Sequence, residues 1–98
     1  CPPLHTEPTP GRGPYMVSKL GMARIALAIA EEHRADNIAA NTLWPRTIIE
    51  SQASINWKMA DRSQWRTPEI MCDAVCAIVS QEPAHLSGHM LIDEQALA

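Results

Sequence analysis

The 98-residue chain contains no phenylalanine, and aromatic residues make up only 4% of it. Any core must therefore come from aliphatic side chains and methionine. There is no basic surplus either: eight Lys and Arg stand against eleven Asp and Glu, a net charge of −3. That argues against non-specific nucleic-acid binding, which needs cations to neutralise phosphates. No long apolar run is present, and the longest, 25–30, is far too short to span a bilayer. The amino terminus lacks a charged region leading into an apolar stretch, so it does not read as a signal peptide. Cysteine is scarce. Three at scattered positions are not a disulfide framework, and free thiols suggest a reducing, cytoplasmic compartment. With 46% apolar and 19% charged residues, the balance is that of an ordinary globular chain rather than a disordered one. The length allows one small domain. A start of Cys1-Pro2-Pro3-Leu4 fits a piece of a longer chain as naturally as a trimmed terminus.

Residues 1–14 hold five of the eight prolines, at 2, 3, 8, 10 and 14. Proline fixes φ and removes an amide donor, so this stretch reads as an extended loop lying on something else. Residues 15–34 read as a helix, with Pro14 at its start. Met16, Leu20, Ala23, Leu27 and Ala30 follow helical spacing, and Ile25, Ala26 and Ile29 widen the stripe. A helix so apolar is expected to be covered on two sides. Gly21 in its interior is expected to permit close packing. Glu31 and Glu32 stand at the unfavourable negative end, where Arg34 or solvent should receive them. Residues 37–45 suggest a short strand closed by Pro45. Residues 46–66 form a mixed lobe, helix-like over 46–59, dotted with Trp57, Met59 and Trp65. Residues 67–80 predict a second helix, with Thr67 capping, Pro68 in the first turn, and Ile70, Ala74, Ala77 and Ile78 inward. Residues 88–93 predict a second strand.

Strands separated by helices imply right-handed parallel crossovers in an α/β layer fold. Two strands are too few for such a sheet, whose edges and faces would stay open. The expectation is the second half of a doubly wound parallel-sheet domain, a single partial domain over 1–98 from which the dinucleotide-binding half is missing.

Tyr15 and Lys19 stand at i and i+4, on one helix face. The pair suits proton transfer to or from a hydroxyl or carbonyl. A free phenol titrates near pH ~10, and a neighbouring ammonium favours the phenolate. By spacing alone, a half-buried Tyr beside a surface Lys is the better account. The segment Tyr15-Met16-Val17-Ser18-Lys19, followed by Leu20-Gly21-Met22, resembles the active-site helix of short-chain dehydrogenases/reductases, Tyr-x-x-Ser-Lys. Asn37-Ile38-Ala39-Ala40-Asn41-Thr42-Leu43-Trp44-Pro45 is similar to that family's next strand, which ends in a proline at the nicotinamide. Thr67-Pro68-Glu69-Ile70 resembles the start of its penultimate helix, and Ser87-Gly88-His89-Met90-Leu91-Ile92-Asp93-Glu94 its last strand. The resemblance is collinear over essentially the whole chain. The Trp-Pro-Arg-Thr turn, the Pro-Pro-Leu start and the Ile-Asp-Glu ending are most similar to hydroxysteroid dehydrogenase-like proteins within the family.

The resemblance implies a Rossmann-like fold and hydride transfer between nicotinamide and a carbonyl or alcohol, with NAD or NADP as cofactor for the complete enzyme. It implies that Tyr15 is the general acid/base, and that Lys19 lowers its pKa and holds the nicotinamide ribose. Pro45, Thr47 and Ser51 would meet the nicotinamide carboxamide, and residues 46–66 would be the substrate-binding lobe. Arg46 stands where the family usually has glycine. Cys1 occupies the place of the family's catalytic Ser, and a thiol is the poorer donor. Gly11-Arg12-Gly13 follows no strand, lacks a third glycine, and reads as a turn before the helix. The chain alone should bind dinucleotide weakly or not at all. Its expected partners are a small carbonyl or alcohol substrate and further copies of itself or a companion polypeptide, with no nucleic acid and no membrane. The alternative is a truncated, non-catalytic chain that self-assembles through its exposed helix and strand edges.

Other groupings carry less. Cys72 and Cys76, with His85 and His89, share i, i+4 separations that could suggest a zinc site, but cysteines among Ile and Ala on a helix are more simply buried. Cys1 near His5 has no third group to orient it. Trp44 suits core packing, and Trp65 beside Arg66 is the better interface candidate.

Overall fold

Pro14 opens the first and longest helix, α1, Gly13–Glu32. Its missing N–H falls where a helix has no acceptor to offer, and its φ is already helical. The run that follows has no proline for the rest of the helix. It stops where the N–H of His33 closes on the carbonyl of Ile29 at 3.0 Å, and the chain tightens into a 3-10 turn, Arg34–Asp36. Asn37 then takes a left-handed φ of 56°, which its short polar side chain tolerates. Arg34 therefore lies beyond α1 rather than within it. It pairs with Glu31 at 2.6 Å, as the helix's acidic exit requires. The computed structural model describes residues 10–98; Cys1, His5 and most of the proline-rich stretch lie outside the described residues.

Two strands, β1 (Thr42–Trp44) and β2 (Met90–Ile92), pair in parallel with Leu43 opposite Leu91. Both are shorter than predicted, and Asn41 is the reason at one end. Its side-chain Nδ2 donates to the Leu86 carbonyl at 2.9 Å, and its Oδ1 accepts the His89 N–H at 3.0 Å. A side-chain amide thus takes over where regular backbone pairing would begin. Gly88 N–H still reaches the Ala40 carbonyl at 2.9 Å, so the approach to the ladder is bonded although it is not strand. At the other end Pro45 has no N–H to continue the ladder. Asp93, read as the end of the strand, opens a short helix, α4, Asp93–Leu97.

The lobe after β1 is mostly irregular. Its helix, α2, is confined to Gln52–Asn56. A single parallel bridge joins Ile49 to Arg66. The third helix, α3 (Glu69–Val79), buries Ala74 and turns Ile70, Ala77 and Ile78 to its half-buried side, as the spacing predicts. Its cap residue is Pro68 rather than Thr67, with no side-chain cap hydrogen bond. α4 packs on α3.

Among the described residues the buried apolar side chains are Ala23, Ala30 and Ala74, the smallest available. α1 is covered on one side only: Ala23 and Ala30 face inward, while Val17 is 71% and Ile25 62% exposed. At Gly21 a Cβ would meet nothing within 4 Å, so no close packing occurs there. The close approach is at Gly88, where φ is +76° and a Cβ would stand 3.6 Å from that of Ala30. That contact places the carboxy-terminal end of α1 beside the turn leading into β2.

Candidate active site

Tyr15 lies in the first turn of α1 with its side chain half exposed. One helical turn on, the Lys19 ammonium sits 5.4 Å from the centre of the Tyr15 ring. The i, i+4 spacing brings the two together as expected. Between them, the Ser18 hydroxyl donates to the Tyr15 carbonyl at 2.7 Å, so it is occupied by its own helix. Tyr15 is about 22 Å along the helix axis from Ala30, at ~1.5 Å per residue. The pair therefore stands well away from the amino-terminal edge of the strands.

Pro45 follows β1 directly and is half buried. Thr47, two residues on, accepts a hydrogen bond at its Oγ1 from the Arg66 Nε at 2.7 Å. Ser51 ends this loop, and its role is local. Its Oγ accepts the Ser54 N–H at 3.2 Å, while its own N–H donates to the Ser54 Oγ at 2.8 Å. This is a capping box built from two serines. Ser54 is buried and also donates toward the carbonyls of Ile49 and Ser51, each at 2.9 Å.

Loop 45–51 leaves the carboxyl end of β1, and α4 leaves the carboxyl end of β2. In open parallel α/β sheets that edge is where ligands bind. Between the two exits lies a charged cluster that sequence reasoning did not single out. Asp93 is fully buried. It pairs with Arg66, and Glu94 bonds both Arg66 and Arg46, at 3.3 and 2.8 Å. The signal was an acid closing the apolar run Met90-Leu91-Ile92, since a carboxylate there must find a cation or a donor.

The remaining groupings separate. Cys72 and Cys76 are free and face solvent rather than the core. Among the described residues no group of three or more His, Cys, Asp or Glu is placed to hold a metal. Trp65 is half buried, its indole N–H donating to the Met59 carbonyl at 2.7 Å and its ring under the Arg62 guanidinium. The exposed tryptophan is Trp57, at 80%. Two concavities, one lined by Ala77, His85 and Leu91 and one by Arg34, His85 and His89, include neither Tyr15 nor Lys19. No helix among the described residues is long and apolar enough to cross a membrane.

No protein-family model matches the chain. Comparison with known proteins gives matches over nearly the whole of this chain nonetheless. The chain is 39% identical to hydroxysteroid dehydrogenase-like protein 2 of Xenopus tropicalis, over 98% of its own length and 23% of that protein. It superposes on the crystal structure of a short chain dehydrogenase from Mycobacterium thermoresistibile with a TM-score of 0.80 and 39% identity, covering 98% of the chain and 35% of that one. A protein assigned as a dehydrogenase from Xanthomonas campestris gives a TM-score of 0.76 at 36% identity, over 92% of the chain and 36% of that one. The chain thus spans about a quarter of its curated relative and about a third of the solved structures. Its α/β fold, with a parallel strand pair flanked by helices, is part of their doubly wound, Rossmann-like domain. The homologues of the chain are thus hydroxysteroid dehydrogenase-like proteins and its structural neighbours short-chain dehydrogenases, and it corresponds in sequence and in fold to a part of them.

Proposed function

We propose that this chain supplies the proton-transfer and nicotinamide-facing part of an NAD(P)-dependent oxidoreductase acting on a small carbonyl or alcohol substrate. The observation that carries the reading is the half-exposed Tyr15 phenol with the Lys19 ammonium beside its ring. A phenol in that setting can give a proton to a substrate oxygen or take one from it. The Lys19 ammonium favours negative charge beside it and can donate to a ribose hydroxyl. A nicotinamide, when bound, supplies or accepts the hydride at the substrate carbon. The residues present fit the nicotinamide-ribose end of such a cofactor: Lys19 as a donor, and Pro45, Thr47 and Ser51 along the loop at the carboxyl edge. They do not include a Gly-x-Gly-x-x-Gly stretch for the pyrophosphate. Cys1, outside the described residues, belongs to the same reading as a weak donor to the substrate oxygen. The exposed free thiols of Cys72 and Cys76 agree with a reducing, cytoplasmic setting.

The test is Tyr15→Phe in the full protein, assayed with NADH and NADPH against a panel of ketones and aldehydes. Turnover is expected to fall by about 10²–10⁴, with dinucleotide affinity retained. Unchanged turnover in an active protein would remove Tyr15 from the chemistry.

A second reading has its own observation. Val17, Met22, Ile25 and Ile29 of α1 are exposed, and among the described residues the sheet has two strands only. Such surfaces suit assembly of copies of the chain. A protein that forms oligomers but neither binds nor turns over a dinucleotide would favour this reading over the first.

A further inference from the structure

α3 turns two thiols away from the core. The buried Ala74 marks the side of the helix that faces inward. Cys72 and Cys76 stand two residues to either side of it, about 200° around the helix at ~100° per residue. Both are free and exposed. The i, i+4 spacing puts them on one face, a turn apart. Val75 and Val79 adjoin them there, 47% and 73% exposed. The backbone under the thiols is fixed. The Cys72 N–H donates to the Pro68 carbonyl at 3.2 Å, and the Cys76 carbonyl accepts the Ser80 N–H at 3.1 Å and the Ser80 hydroxyl at 2.6 Å.

That spacing decides what the pair can do. Side chains at i and i+4 of a helix hold their Cβ atoms ~5–6 Å apart, whereas a disulfide needs them at ~3.5–4.5 Å. The two sulfurs therefore do not close on each other while α3 stays helical. An atom inserted between them adds two bonds of roughly 2.3 Å each and spans the gap. Among the described residues no group of three or more His, Cys, Asp or Glu stands together. A zinc ion, which takes four ligands, is therefore not completed here, but a soft centre satisfied by two thiolates is. Glu69 and Asp73, each three residues before one of the cysteines, bring negative charge to this part of α3, which favours a cation. We infer that Cys72 and Cys76 form a two-thiolate clamp for a soft, thiophilic centre of low coordination number, monovalent copper or a trivalent arsenical. Copper enters as the ion, and the two thiol protons leave to solvent. With an organoarsenic(III) oxide, two S–H bonds and the bonding of arsenic to oxygen break, two As–S bonds form, and water departs. Copper, arsenic and sulfur all keep their oxidation states. The clamp is on a different helix from Tyr15 and Lys19 and does not depend on the dinucleotide reading.

The experiment loads the reduced full protein with phenylarsine oxide in one arm and with monovalent copper in the other, each against excess glutathione. Bound arsenic or copper is then counted by mass spectrometry and mapped to the peptide holding Cys72 and Cys76. Wild type is expected to keep one arsenic or one copper there, because a single-thiol competitor cannot match two thiols held one turn apart. Cys72→Ser and Cys76→Ser should each weaken retention about 10²–10⁴-fold, the loss of the second point of attachment. Cys76→Ser combined with Ser80→Cys keeps the number of thiols but sets them about 12 Å apart along the helix axis; it should behave like the single variants. Should a variant fail to fold, wild type alkylated at both thiols with iodoacetamide gives the same comparison. Retention of arsenic alone assigns the site to arsenicals, and retention of copper alone assigns it to the ion. A wild type that keeps neither probe, or a single or swapped variant that keeps them as tightly as wild type, would overturn the inference.

Discussion

Two exposed carboxylates report on local hydrogen bonds in this fold. The Asp61 carboxyl is held below the usual carboxylate range by the backbone N–H of Ser63 first and the Ser63 hydroxyl second. Its Oδ1 accepts that N–H at 3.0 Å, capping the 3-10 turn Arg62–Gln64. Glu69 is held low chiefly by the Thr67 hydroxyl. A carboxyl depressed in the folded state adds stability that is present above its unfolded pKa and is lost as pH falls through the folded one. Both groups should therefore keep titrating below the ordinary midpoints in an NMR pH series. Thr67→Ala should bring Glu69 back toward the ordinary range, since it removes the largest cause; an unmoved midpoint would mean that this hydroxyl is not bonded to the carboxylate. At this scale the meeting of Tyr15 and Lys19 was legible in the sequence, because i, i+4 geometry is a property of the helix itself. Arg66 and Asp93 were not. They stand 27 positions apart, and only the fold brings a guanidinium to a carboxylate over that separation.

Among the elements, the short helix α2 is closed by its own side chains. Ser51 and Ser54 satisfy each other's backbone N–H groups, and Ser54 is buried with two further carbonyls in reach. Ser54→Ala would take the hydroxyl away from the Ser51 N–H and the Ile49 carbonyl. We expect it to cost about 1–3 kcal/mol, seen as a lower denaturation midpoint in the full protein, with the slope of the transition unchanged. Ser51→Ala should cost about 1 kcal/mol, the value of an N-cap. A Ser54→Ala protein as stable as wild type would show that the buried hydroxyl contributes nothing net. Helix positions were legible to within a few residues where proline marked the start, as at Pro14 and Pro68. Strand lengths were not. Residues 37–45 carry a strand pattern, yet Asn41 bonds across to Leu86 and His89 with its side chain, and composition alone gives no sign of that choice.

The molecule as a whole is drawn out, with extents of 44 × 28 × 21 Å and a radius of gyration of 14.8 Å. A compact chain of 100 residues has a radius nearer ~13 Å. The described core holds alanines, while Val17, Ile25 and Val79 face outward. The parallel pairing of two strands was legible because helices separate them; the one-sided cover of α1 was not, since an all-round apolar helix implies cover without saying from where. Val17→Lys together with Ile25→Lys should shift the isolated chain toward monomer in sedimentation and reduce binding of a hydrophobic dye. If neither changes, the α1 face is not what drives association. The strand register has a kinetic side as well. Asn41 and His89 are 48 positions apart, and bringing such ends together costs of order 3 kcal/mol in chain entropy before any pairing is gained. α1 and α3 need only neighbours in sequence and are expected to form early. The ladder, with Asn41 as its latch, is then expected to be the slow step, waiting on one side-chain amide to meet two backbone groups almost half the sequence away.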